Sequence, residues 1–123
     1  KEVLTVDKTL PHDLHQPVET VLANMPDTGR FAQAAAGFQQ VSDGSRLRIF
    51  WFLCHCEECV SDIAAAMGMS SAAVSHHLKS LRMHGLITSR RVGKEMHYTL
   101  ADTGPAKLLH RLIEDYLEMN CPL

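Results

Sequence analysis

Three of the four cysteines stand within six residues, in Cys54-His55-Cys56-Glu57-Glu58-Cys59. This spacing is poor for a framework of disulfide staples and good for ligation or redox work, so the thiols read as reduced. Two histidines, His12 and His15, lie three residues apart near the N-terminus. A second constellation suits a polyanion. Ser71, Ala72, Ser75, His76, Lys79 and Arg82 fall outward on a helical repeat whose inward positions are Val74 and Leu78, and Arg90, Arg91 and Lys94 follow in a hairpin-like stretch. Small and hydrogen-bonding side chains in the first turns of a helix let its backbone approach base edges in a major groove. The basic residues after it would neutralise phosphates or enter a minor groove, positioning more than specifying. An enzyme built on Cys59 as nucleophile would need a base, an acidic orienter in register and a substrate pocket. The chain offers no such set, so neither catalysis nor an organic substrate is expected.

The elements that must position these residues are legible from periodicity. Phe31, Ala34, Ala35, Phe38 and Val41 recur at helical spacing until Ser42-Asp43-Gly44 breaks the run. A largely apolar helix is predicted from Ser45 to Leu53, and a third from about Cys59 to Met67, stopped by Gly68. Ser70 is placed to cap a fourth over residues 71–84. Two helices joined by a glycine-containing turn make a helix-turn-helix. Two short alternating runs flanking Val92-Gly93-Lys94 then make a hairpin, the wing. Gly104-Pro105 opens a last helix with a wide stripe of Leu108, Leu109, Leu112, Ile113, Tyr116 and Leu117.

With 123 residues, 46% of them hydrophobic and 21% charged, the chain has material for one core and is not disordered as a whole. The fold class expected is mainly α with a small β-hairpin. Residues 1–16 read as a mobile arm and 17–123 as one winged helix-turn-helix domain for DNA binding and dimerisation. The apolar excess of Phe31, Phe38, Leu109, Leu112 and Tyr116 predicts a homodimer through the first and last helices. No run approaches the roughly 20 apolar residues of a bilayer span, so a cytoplasmic location and no membrane partner are expected. The net charge is only −2, but its distribution is uneven. Residues 1–62 hold five basic and nine acidic side chains, 63–97 hold five and one, and 98–123 hold two and four. A basic block inside an acidic protein is the footprint of a surface that meets phosphates.

Several motifs resemble the ArsR/SmtB repressors. They are Ser45-Arg46-Leu47-Arg48-Ile49, Glu57-Glu58-Cys59-Val60-Ser61-Asp62-Ile63-Ala64, the run from Ala73 to Arg82 with Val-Ser-His-His-Leu at its centre, Gly85-Leu86-Ile87, and Arg90-Arg91-Val92-Gly93-Lys94. The resemblance spans about residues 30–120. It implies a homodimeric winged helix-turn-helix repressor that sits on double-stranded operator DNA until an effector binds.

The resemblance also suggests where an effector would bind. The family's thiolate stretch, Cys-Val-Cys-Asp, stands here as Cys59-Val60-Ser61-Asp62, without its second thiol. This departure argues against an all-sulfur arsenite site and matches the zinc-sensing branch. There the cysteine and the aspartate are joined by ligands from the N-terminal arm, where this chain has His12 and His15. Such a mixed nitrogen, sulfur and oxygen set suits zinc or cadmium, with lead in the same class and Cys56 as reserve thiolate. The same branch builds an interfacial site on the last helix, matched here by Asp102, Asp115 and Glu118 without imidazoles, a remnant that would hold zinc weakly. The alternative effector chemistry is thiol-based, redox or reactive sulfur, with Cys121 meeting a thiol upstream.

Overall fold

The structure, a computed structural model, describes residues 16–119. His12, His15 and Cys121, and with them the predicted arm, lie outside the described residues. The chain divides into two units, one through Ala35 and one from Ala36 onward. In the first, α1 runs over Gln16–Asn24, and α2, Thr28–Gln40, begins. Pro17 sits in the first turn of α1, where a missing N–H costs nothing. Asp27 Oδ1 accepts from the Arg30 N–H at 2.8 Å, satisfying one orphan donor at the start of α2.

The second unit holds the end of α2, then α3 (Gly44–Leu53), β1 (Glu58–Cys59), α4 (Val60–Met67), α5 (Ser71–Met83), β2 (Ile87–Val92), β3 (Glu95–Leu100) and α6 (Gly104–Tyr116). Side chains cap the starts of α3, α5 and α6, whereas Cys59 before α4 makes no such bond. Asp43 accepts from Arg46 N at 2.9 Å, Ser70 from Ala73 N at 3.1 Å, and Thr103 from Ala106 N at 3.3 Å. Between α4 and α5 the chain turns on Gly68, whose φ of 68° is the left-handed region that glycine enters without strain.

The core joins Ile49, Phe50 and Leu53 of α3, Ile63 of α4, Val74, Leu78 and Leu81 of α5, and Ala106, Leu109 and Ile113 of α6. Leu109 was expected in an apolar surplus available to a partner; it is instead buried within the protomer. The helical period divides the stripe of α6, turning Leu109 and Ile113 inward and leaving Leu108, Leu112, Tyr116 and Leu117 exposed.

Three strands form an antiparallel sheet in the order β1-β3-β2. The predicted hairpin is β2 and β3, closed by Gly93 and Lys94 between Val92 and Glu95, which face each other. Strand β1 was not expected. Two residues are too few to show a period, and Cys59, read as the first residue of a helix, is extended and pairs with His97 of β3. Among the described residues no helix is long and apolar enough to cross a membrane.

Candidate nucleic-acid interface and effector sites

Helix α5 presents Ser71, Ala72, Ser75, His76, Lys79 and Arg82 to solvent while Val74, Leu78 and Leu81 enter the core. The polar stripe therefore lies on the free face of the second helix of the helix-turn-helix. Ser75, Lys79, Arg82 and Met83 line a shallow groove with Tyr98 of β3, so helix and wing share one concave surface. His77, on the same helix, is half-buried with Nε2 4.0 Å from Asp43 Oδ2. Burial pushes its imidazole down from the ordinary value, and Asp43 only partly offsets this.

In the wing, Arg91 and Lys94 are exposed and form no ion pair among the described residues. Arg90 differs. Its guanidinium holds Glu57 by two parallel bonds, Nε to Oε2 at 2.6 Å and Nη2 to Oε1 at 2.7 Å. Both partners respond, the Glu57 carboxyl held down and the Arg90 guanidinium held up. Arg90 is thus already committed to a carboxylate, which sequence position alone could not reveal.

Among the described residues, Cys54, Cys56 and Cys59 do not form one cluster of three ligands. Cys59 is buried immediately before α4, with Sγ 3.3 Å from Ser61 Oγ. Asp62 is exposed in the first turn of that helix. Cys56 points back to α3, its Sγ donating to the Phe52 carbonyl at 3.2 Å, and burial followed by the charge of Glu58 pushes its thiol up. That disfavours the thiolate a metal needs. Cys54 packs against the core. Of the terminal-helix carboxylates, Asp102 forms an ion pair with Lys107, while Asp115 and Glu118 are exposed.

One group escaped the sequence reading. His55 in the turn after α3 and His110 and Glu114 of α6 bring their ligand atoms within 4.8 Å of one another, the one such group of three among the described residues. Glu114 Oε2 lies 2.8 Å from His55 Nε2 and 3.1 Å from His110 Nε2, and accepts from Trp51 Nε1 at 3.1 Å. Burial pushes this carboxyl up, yet the two imidazoles outweigh it and hold it below the ordinary glutamate range. The i, i+4 spacing of His110 and Glu114 was visible; the partner 55 residues away in sequence was not.

A second buried polar contact ties α2 to α5. Gln40, buried at the end of α2, accepts from the Ser80 hydroxyl, and its amide nitrogen lies 3.5 Å from His84 Nε2.

A capped polar helix after a glycine turn, followed by a basic two-stranded hairpin, defines a winged helix-turn-helix regulator. Residues 43–89 match the model of the bacterial regulatory protein, arsR family. The transcriptional repressor SmtB homolog of Synechocystis sp. is 39% identical over 118 residues, 96% of this chain and 87% of that protein. The cadmium resistance transcriptional regulatory protein CadC of Listeria innocua is 44% identical over 62 residues, 50% of this chain and 52% of that one. A homodimeric winged helix-turn-helix DNA-binding domain from Mycobacterium bovis superposes with a TM-score of 0.67 at 28% identity, covering 78% of this chain and 90% of that one. The chain belongs to the ArsR family of bacterial transcriptional regulators.

Proposed function

We propose that this chain is a metal-responsive repressor that binds operator DNA as a homodimer and releases it when a divalent thiophilic ion, zinc or cadmium first, is bound. Residues 17–123 would form the DNA-binding and dimerisation domain and residues 1–16 an arm that supplies ligands. The reading is carried by the position of Cys59. This buried thiol ends β1 immediately before α4 and is in register with His97 of the wing strand β3, with Asp62 in the first turn of α4. A thiolate and a carboxylate fit a borderline ion at two of its positions, and His12 and His15 would complete a tetrahedral set. The similarity to a cadmium resistance regulator supports the same ion class.

The DNA face would be Ser71, Ala72, Ser75, His76, Lys79 and Arg82 in the major groove, with Arg91 and Lys94 on phosphates and Arg90 joining them when it leaves Glu57. Dimer contacts would come from Phe31 and Phe38 of α2 and Leu108, Leu112 and Tyr116 of α6, all exposed in the protomer. An ion on Cys59 pulls on β1, hence on β3 and the wing, and on α4, which leads into the recognition helix. Two recognition helices must meet half-sites about 34 Å apart, so a small reorientation is enough to lose the match. A coupling of about 1–3 kcal/mol would derepress.

The test uses duplexes selected from a random pool. Zinc or cadmium should release the wild type and a chelator restore binding, while Cys59→Ser and a chain lacking residues 1–16 should bind DNA and ignore the ion. Release by polysulfide or peroxide with reversal by reductant, and no response to metal, would replace this reading with the thiol-based one.

A further inference from the structure

We propose that His55, His110 and Glu114 form a second divalent-metal site, free of sulfur and separate from Cys59, which clips the end of α3 to α6. Two imidazoles and a carboxylate form one of the recurring three-ligand zinc sets, with a fourth position left for water. His55 and Glu114 side chains are 9% and 8% exposed, so the donors are already out of bulk solvent. Three polar groups converge on one oxygen, Glu114 Oε2: Trp51 Nε1, His55 Nε2 and His110 Nε2. The last makes no proper hydrogen bond. His110 Nε2 is buried and stands 3.1 Å from that oxygen, at ion-pair distance but outside regular hydrogen-bond geometry. A buried ring nitrogen so placed calls for a further partner, and an ion shared with His55 and Glu114 supplies one.

The spacing is suitable. A tetrahedral ion with bonds of about 2.0–2.1 Å needs ligand atoms roughly 3.3 Å apart, and those here run from 2.8 Å to no more than 4.8 Å. Trp51 lacks a lone pair to offer, so it holds the carboxylate from outside, as partners beyond the ligands of a metal commonly do. With no thiolate, the site selects zinc, cobalt or nickel over cadmium or arsenite. Its ligands come from the turn that follows the helix packing Phe50 and Leu53 into the core and from the helix that exposes Leu112 and Tyr116, so an ion here fixes the candidate dimer face to the DNA-binding core.

Trp51 is the only tryptophan, and its ring centroid is 4.6 Å from that of His55, so its fluorescence reports on this site. The experiment titrates zinc and cobalt into the metal-stripped full chain carrying Cys56→Ser and Cys59→Ser. We expect a Trp51 fluorescence change saturating at one ion per protomer and a cobalt spectrum without a sulfur charge-transfer band. Adding His110→Gln or Glu114→Gln should weaken binding at least about tenfold, with the metal-free circular dichroism spectrum unchanged. If those variants fail to fold, X-ray absorption of the zinc form of the double cysteine variant must show imidazole scattering and no sulfur. An unchanged Trp51 signal, or a response that survives both substitutions, overturns the proposal. The outcome is independent of the Cys59 reading, which stands or falls on the sulfur charge-transfer band of the wild type.

Discussion

Arg90 of the wing and Glu57, two residues before Cys59, are joined by two parallel hydrogen bonds, so the guanidinium expected on DNA lies on a carboxylate instead. A solvent-screened surface pair of this kind adds little to stability, and its larger consequence is for charge. Glu57→Gln should free Arg90 and tighten binding to selected and random duplexes alike, steepening the salt dependence by up to about one unit of log–log slope. Arg91→Glu should do the reverse. Filter binding or fluorescence anisotropy across a salt series measures both, and unchanged slopes in both variants would remove the wing from the interface.

The recognition helix depends on its first residues. Ser70→Ala removes the bond to Ala73 N and should lower stability by about 1 kcal/mol. Gly68→Ala should cost about that much or more, because φ of 68° strains any side chain although space around it is open. Urea unfolding gives both values; a neutral Gly68→Ala would mean that the turn relaxes out of its left-handed conformation.

In the proposed dimer the exposed face of α6 would form part of the contact. Leu112→Glu places a charge among Leu108, Leu112 and Tyr116 and should convert a micromolar dimer to a folded monomer with weakened DNA binding. Sedimentation velocity decides it, and a wild type that runs at 13.7 kDa while folded contradicts the dimer.

Stability should fall in two steps as pH drops. An unfolded histidine takes up its proton near pH 6.5, whereas burial holds folded His77 neutral to lower pH. The unfolded state therefore binds the proton first, and stability declines as pH falls through about 6.5. The carboxyls of Asp43, Glu57 and Glu114 are held below their ordinary values, so the stability they contribute is present above about pH 4 and lost as pH falls through their folded values. Thermal melts of His77→Gln should lack the first step and keep the second. A wild-type melting temperature that is flat between pH 7.5 and 5 would contradict the assignment.

Residue order was enough wherever local chemistry is in control. Ser70 at a cap, Gly68 at a stop, the inward period of Val74, Leu78 and Leu81, and the alternation around Gly93 each act through neighbours within a few residues. The helix-turn-helix, the wing and the outward register of Ser71, Ser75 and Lys79 therefore followed from spacing alone. Tertiary structure decided what depends on residues far apart in the chain. It paired Arg90 with Glu57, drew Cys59 out of a helix into a strand opposite His97, and buried Leu109 while exposing Leu108 and Leu112. It also brought His55 to His110 and Glu114. Backbone propensity carries no term for such a meeting. It arises because packing Phe50 and Leu53 against Leu109 and Ile113 fixes the two helices, and the polar residues beside that apolar contact must then satisfy one another.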